Sequence, residues 1–348
     1  MKIENNIIGG DHPVFIIAEL SANHNGSLDT ALKTVKAAKR AGADCIKLQT
    51  YTPDTITLNS DKDDFLIKGT IWEGKKLYDL YWEAYTPWEW HEAIFKAAAE
   101  EDLICFSSPF DKTAVDFLEK LSVPAYKIAS FEVTDIPLIE YTASKGKPII
   151  ISTGIAGQED IELALDACRK MGNDDVALLK CTSQYPAPIE DANMVMVKDL
   201  AERFNVISGL SDHTMGNTVP IVATAMGAKI IEKHFILDKS VGGPDASFSM
   251  DEKEFSEMVK SVREAEKAIG KVDYTLTEKQ KKGRNFSRSL YIAEDIKAGG
   301  IITEKNVRSV RPGFGLHPKH LKEIIGRTVK KDLQCGDRLN FESLNKKK

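Results

Sequence analysis

Between Val14 and Phe235, eight short runs of apolar and β-branched residues are each followed by a polar turn and a longer segment with helical spacing. The runs are Val14 to Leu20, Cys45 to Thr50, Ile104 to Ser108, Ala125 to Ser130, Pro148 to Thr153, Val176 to Thr182, Val206 to Ser211 and Lys229 to Phe235. In the intervening segments, Ala31, Val35 and Ala38 form one stripe, and Ile161, Leu165 and Cys168 another. Eightfold strand–helix alternation predicts a (β/α)8 TIM barrel over residues 1–270. The chain has 348 residues, so one large barrel leaves room for an appendage.

One segment breaks the rhythm. Tyr51 to Tyr85 is too long for a simple turn and carries Trp72, Tyr78, Tyr81, Trp82 and Tyr85; at the carboxyl end of the second strand it would either cover the barrel or wall a pocket. Residues 271–287, with KQKKGRN, read as an exposed linker. Residues 288–348, punctuated by Gly299-Gly300, Pro312-Gly313 and Gly336-Asp337, read as a compact module of short strands. Charge supports this division. Of 47 Lys/Arg and 52 Asp/Glu, residues 281–348 hold 17 and 7, so an acidic body precedes a basic tail ending in Lys346, Lys347 and Lys348. The net charge of −5 argues against a nucleic-acid partner. Five cysteines without a CxxC pair suggest reduced thiols, and no run is long enough to span a bilayer, so a cytoplasmic protein with no membrane partner is expected.

On a TIM barrel, chemistry sits at the carboxyl ends of the strands, and here each apolar run closes in polar residues. Strand one ends at Glu19; strand two carries Lys47 and Gln49 on one face; strand four carries Lys127 and Ser130; strand five ends at Ser152. Strand six runs into Cys181-Thr182-Ser183-Gln184-Tyr185, strand seven into Ser211-Asp212-His213, and strand eight carries Glu232, Lys233 and His234. A single strand-end hydroxyl is more often a helix cap, and a lone histidine more often a core residue. Two lysines inside a barrel, however, are costly unless an anion or a carboxylate pairs with them, and with serines around them they suit a ligand bearing phosphate and carboxylate. His213 and His234, near Glu19 and Asp212, suit a divalent metal with few protein ligands, manganese or magnesium rather than structural zinc. Neither a G-x-G-x-x-G nor a Walker loop is present.

The strings IIAELSANHNGS (16–27), GADCIKLQTY (42–51), YKIAS (126–130), ISTGI (151–155), KCTSQYP (180–186), GLSDHT (209–214) and IEKHF (231–235), with SRSLY and VRPGFGLHP in the tail, carry a resemblance over nearly the whole chain. The sequence resembles the sialic acid synthase family, most closely its pseudaminic acid synthase branch. The resemblance implies condensation of phosphoenolpyruvate with an open-chain N-acetylated amino sugar, giving a nine-carbon 2-keto acid and phosphate. It implies a metal, Mn2+ or Mg2+, on His213 and His234, and a phosphoenolpyruvate cradle of Lys47, Lys127, Ser130, Ser152 and Ser211, with Gln49 among the substrate contacts and Tyr185 at the edge. Glu19 matches the family's essential carboxylate, and Asp245 a contact to the sugar or to water. Ser183 stands where many members have Asn, which marks the pseudaminic branch and points to 2,4-diacetamido-2,4,6-trideoxy-L-altrose as the sugar. The aromatic wall, with Phe314 and Leu316, would then favour a methyl over a hydroxyl. The tail resembles the antifreeze-like (SAF) domain, which in the family crosses to the partner subunit of a homodimer. There Arg311, with Arg288 and Arg308 as alternatives, would close the sugar site.

Rival readings are a sialic or legionaminic acid synthase with the same chemistry, a Schiff-base aldolase using Lys180 or Lys127, and a non-catalytic binding protein.

Overall fold

The computed structural model describes residues 1–346; Lys347 and Lys348, at the end of the expected basic tail, lie outside the described residues. Contacts divide the chain into a unit spanning Met1–Gly270 and a second beginning at Lys271.

The first unit opens with a small antiparallel hairpin, β1 (Lys2–Ile3) and β2 (Asn6–Ile7). Eight parallel strands follow and close into a barrel: β3 (Phe15–Glu19), β4 (Cys45–Thr50), β5 (Ile104–Pro109), β6 (Tyr126–Ile128), β7 (Ile149–Ser152), β8 (Val176–Cys181), β9 (Ile207–Asp212) and β10 (Ile230–His234). β10 pairs with β3 in register, Glu232 opposite Ile17 and His234 opposite Glu19, which completes the ring. The eight expected runs are these eight strands.

Period-two alternation sorts the strands' side chains into two faces. Outward residues such as Ile16, Ala18, Ile46 and Leu48 pack on the helices, among them α1 (Leu28–Arg40), whose Ala31, Val35 and Ala38 are buried as the stripe required. Inward residues stack in layers. The lower layers are apolar: Phe15, Ile17, Phe106, Ile150, Leu179 and Ile230 form one cluster, plugged by Ile3 and Ile8 from the amino-terminal hairpin. At Gly209 a side chain is excluded, because an added Cβ would lie 2.3 Å from the Ile230 carbonyl oxygen. The uppermost inward positions are polar, and this change of character along single strands creates the site.

The Tyr51–Tyr85 segment is not a bare loop. It holds α2 (Pro53–Ile56), a 3-10 turn (Asp63–Phe65) and α3 (Leu77–Ala84), with a small hairpin between, in which Ile67 and Gly74 exchange backbone bonds with Lys75 and Ile67. Tyr51 fastens its base, stacking edge-on against Tyr81 and Phe110.

In the second unit, β11 (Ser289–Ile292) and β12 (Val307–Val310) pair antiparallel over a core that includes Leu290, Ile302, Val307 and Leu339. The stretch expected as linker differs from a plain tether. Thr277 and Gln280 form a capping box that starts a short helix (Glu278–Gly283), and the Asn285 carbonyl accepts the Gly313 N–H.

Candidate active site at the carboxyl ends of the strands

A cavity of about 440 Å³ opens at the carboxyl ends of the strands. Its floor brings together Glu19, Lys47, Gln49, Lys127, Ser130, Ser152, Ser183, Tyr185, Ser211, His213, Glu232, His234 and Asp245. Each comes from a strand's last inward positions or the loop that follows, so the barrel's geometry converges them without any sequence proximity.

Four buried charges form the centre. Glu19 pairs with Lys47 and accepts from Gln49 Nε2 at 3.0 Å; Gln49 also reaches Ser21 Oγ at 3.0 Å. Lys47 donates to Ser108 Oγ at 3.3 Å and stands 3.8 Å from Glu232. Lys127 lies 3.6 Å from Glu232 and donates to the Ile128 carbonyl at 3.1 Å. Burial raises the Glu19 carboxyl against the pull of Lys47 and lowers the Lys127 ammonium against the pull of Glu232. Burial alone would also raise Glu232, but Lys127 and Lys47 hold it down at about 2.

Beside the lysines lies a shelf of hydroxyls. Ser130 Oγ accepts the Gly154 N–H at 3.1 Å, and the buried Ser152 Oγ has no partner. Gly154 leaves the shelf open: a Cβ there would lie 2.0 Å from Ser183 Oγ and 2.7 Å from Ser130 Oγ. An orphaned hydroxyl beside two ammonium groups suits an anion's oxygens.

His213 and His234 sit side by side at the ends of neighbouring strands, with ring centroids 5.3 Å apart and planes tilted by 54°. With Nδ1 of His213 3.0 Å from the Thr182 carbonyl oxygen, the proton belongs on Nδ1 and the lone pair on Nε2. His234 Nδ1 is buried without a hydrogen-bond partner, 3.6 Å from Asp245. Two neighbouring imidazoles beside carboxylates fit a divalent cation that takes its remaining ligands from water or substrate. Among the described residues no group of three or more His, Cys, Asp or Glu side chains converges for metal binding.

Several strand-end residues serve elsewhere. Asp212 faces away from the cavity and is tied to Lys233 at 2.5 Å, so it does not flank the imidazoles as expected. Ser107 joins Thr50 and His91 behind the strands. Lys180 donates to the Cys181 carbonyl at 2.7 Å and does not line the cavity, which removes it as a Schiff-base nucleophile. Arg311, Arg308 and Phe314 belong to the second unit, where Arg311 and Phe314 are exposed, and Leu316 packs on that unit's own core.

Two features of the site are not legible in the sequence. Glu132, just past β6, lines the cavity, and burial pushes its carboxyl up to about 7 despite nearby Lys127. In sequence it is one acid after YKIASF, with no periodicity to place it. The second is the make-up of the far wall: Ile56, Ile67, Leu77, Leu80 and Phe110 join Trp72 and Tyr81, while the inserted segment's charged side chains pair with one another outside, as in Lys68–Asp63 and Lys75–Glu83.

A model of the NeuB family matches residues 34–274, and a SAF domain model matches residues 287–341. The chain is 54% identical over 329 residues to a pseudaminic acid synthase of Campylobacter jejuni, covering 94% of this chain and 96% of that one. It is 48% identical over 335 residues to a pseudaminic acid synthase of Helicobacter pylori, covering 96% and 98%. The crystal structure of N-acetylneuraminic acid (sialic acid) synthetase from Leptospira borgpetersenii in complex with citrate superposes with a TM-score of 0.73 at 29% identity, covering 81% of this chain and 94% of that one. With a polar-topped eight-stranded barrel and a family model matched over most of that barrel, the chain belongs to the NeuB family and carries a SAF domain after its barrel.

Proposed function

We propose that the chain condenses phosphoenolpyruvate with an open-chain N-acetylated amino sugar, 2,4-diacetamido-2,4,6-trideoxy-L-altrose, to give pseudaminic acid and inorganic phosphate. The observation that carries this reading is the cavity's division into two halves. Paired lysines and a hydroxyl shelf meet the needs of phosphoenolpyruvate, and an apolar wall with few polar groups suits a sugar rich in methyl and acetamido groups. The names of the Campylobacter and Helicobacter relatives support the choice of sugar.

Lys127, Ser130, Ser152 and Ser183 hold the phosphate and Lys47 the carboxylate, beside Ser211, whose hydroxyl donates to Glu232; this fixes carbon 3 of phosphoenolpyruvate toward the aldehyde. Carbon 3 forms the new C–C bond as the aldehyde π pair moves onto its oxygen. Water then adds to the cationic carbon 2, giving up a proton to Glu19, which passes it to the new alkoxide; the adduct's remaining hydroxyl proton leaves with phosphate as the carbon–oxygen bond to the phosphate breaks and the ketone forms. Glu19 suits that task, because its raised carboxyl lies near the developing positive charge and Lys47 keeps it oriented. Gln49, Tyr185 and Asp245 orient the sugar. A divalent metal, manganese or magnesium, would be held by His213 and His234, where it supplies Lewis-acid polarisation of the aldehyde oxygen.

The enzyme acts in the cytoplasm as a homodimer whose SAF domain crosses to the partner barrel, with Arg311 closing the sugar site. Exposed apolar side chains on the loops after β6 to β9, Phe131, Ile155, Ile189 and Met215, support a covered rim. The domains are proposed as a barrel over 1–270, a connecting stretch over 271–287 and the SAF module beyond.

Phosphate release with phosphoenolpyruvate and a panel of amino sugars, with and without EDTA and added manganese, tests the reading. Turnover only with the diacetamido-trideoxy sugar and its loss in EDTA are expected. Equal turnover of N-acetylmannosamine would overturn the sugar assignment, and activity undiminished by EDTA the metal.

A further inference from the structure

Glu232 touches three polar side chains of the cavity, and the proposed reaction gives it no task. It projects inward from β10 and is 5% exposed. Its Oε1 accepts from Ser211 Oγ at 2.9 Å and lies 3.6 Å from Lys127 Nζ, while its Oε2 lies 3.8 Å from Lys47 Nζ and has no hydrogen-bond donor. Its three partners sit on β9, β6 and β4. In the closed ring β6 is diametrically opposite β10, so this one carboxylate spans the barrel's interior.

Elementary electrostatics explains why such a group is needed. Two ammonium groups facing a common space in a low-dielectric interior repel each other and would turn apart or lose a proton. Lys47 has Glu19 as a second carboxylate; among the described residues Lys127 has no carboxylate within ion-pair distance except Glu232. Lys127 also senses Lys47, Cys181, Glu19 and Glu132, but from farther away, and burial is the largest influence on it.

From this geometry we infer that Glu232 is a positioning residue: it holds Lys47, Lys127 and Ser211 in one orientation, with Lys127 charged, so that an incoming phosphoenolpyruvate meets a preformed cradle. The inference rests on the phosphoenolpyruvate reading of the site. Glu232 lines the cavity floor between the two lysines, and its role needs no contact with the substrate. A glutamine cannot replace it, since one of its two terminal atoms is an NH2 donor that would face an ammonium group.

The test uses the full-length protein. Calorimetric titration with phosphoenolpyruvate is run on the wild type, Glu232→Gln, Glu232→Asp, Lys127→Ala and the Glu232→Gln/Lys127→Ala double variant, together with KM for each substrate and thermal melting. Glu232→Gln is expected to weaken phosphoenolpyruvate binding about tenfold to a hundredfold, the range for loss of a charge-assisted contact, with sugar KM changed by less than about twofold. The loss in the double variant should be smaller than the sum of the two single losses, because part of the effect of Glu232→Gln passes through Lys127. Glu232→Asp, which keeps the charge, should recover part of the affinity. Unchanged or tighter binding in Glu232→Gln overturns the inference, showing that the carboxylate merely cancels positive charge. Additive losses in the double variant overturn it as well. If Glu232→Gln fails to fold, the aspartate variant decides: equal losses for both substrates mean a general structural role and defeat the inference. Absence of phosphoenolpyruvate binding by the folded wild type would instead defeat the reading of the site itself.

Discussion

Trp72 Nε1 donates to the Pro244 carbonyl oxygen at 3.2 Å, tying the hairpin of the inserted segment to the loop that follows β10. The same indole packs on Tyr185 with centroids 5.6 Å apart, so one residue roofs the cavity between two rims. Apart from this contact the hairpin's outer residues are largely exposed, and its ion pairs are internal to the segment.

Loss of the Trp72 contact should therefore be felt by the sugar rather than by phosphoenolpyruvate. Trp72→Phe removes the hydrogen bond and part of the ring packing and should raise sugar KM about threefold; Trp72→Ala removes the whole roof and should raise it at least about tenfold. Steady-state kinetics with each substrate varied in turn checks this. Equal effects on both substrates would show that the hairpin shapes the whole cavity.

Gly154 makes the opposite prediction. Its added Cβ would collide with Ser183 Oγ at 2.0 Å and press on Ser130 Oγ at 2.7 Å, so both hydroxyls must rotate off the shelf. Gly154→Ala should raise phosphoenolpyruvate KM about tenfold while sugar KM and melting temperature stay nearly constant, since the displaced atoms are ends of short side chains rather than core. A fall in melting temperature with no KM effect would place the clash in the framework instead.

Much of this arrangement is legible in the amino-acid sequence. The strands are readable because period-two alternation and β-branched runs are local, and the polar ring follows from which strand ends a barrel gathers. Lys47, Lys127 and His213 are found by their strand positions. Asp212 shows the limit: one residue from Ser211 and one from His213, it takes the outer face by the same alternation and is held by Lys233. Glu132 shows a second limit, since a residue one turn beyond a strand has no periodicity to aim it. The Trp72–Pro244 bond shows a third, because it joins positions 172 residues apart through a segment without repeating pattern.

Glu19 acts on the rate more than on binding. Glu19→Gln can no longer take a proton from water, and it deprives Lys47 of its nearer counter-charge, leaving Glu232 at 3.8 Å. It should lower kcat about a hundredfold to a thousandfold and weaken phosphoenolpyruvate binding by about tenfold. Rapid quench would locate the loss after C–C bond formation; an equal loss in the rate of C–C bond formation would assign Glu19 to the first step.

Acid should destabilise the barrel before its carboxylates titrate fully. His24 and His91 are buried and held at about 4 by desolvation, below the ordinary imidazole value of 6.5. His91 is fixed as the neutral ring, with Nε2 2.8 Å from Thr50 Oγ1 and Nδ1 3.2 Å from the Pro87 carbonyl. A base whose folded pKa is depressed contributes stability that is fully present above the unfolded pKa and is lost as pH falls toward the folded one. The window here runs from 6.5 down to about 4, and each histidine contributes up to about 3 kcal/mol over it. Glu132, raised to about 7, works in the opposite direction between 7 and 4.5 and offsets roughly one of them. Glu232, held at about 2, adds a further loss below 4.5. In urea unfolding across pH 7 to 4, His91→Gln should flatten the profile between 6.5 and 4.5 while lowering stability at pH 7. A variant profile that keeps the wild-type slope would mean that His91 is not among the groups taking up protons on unfolding.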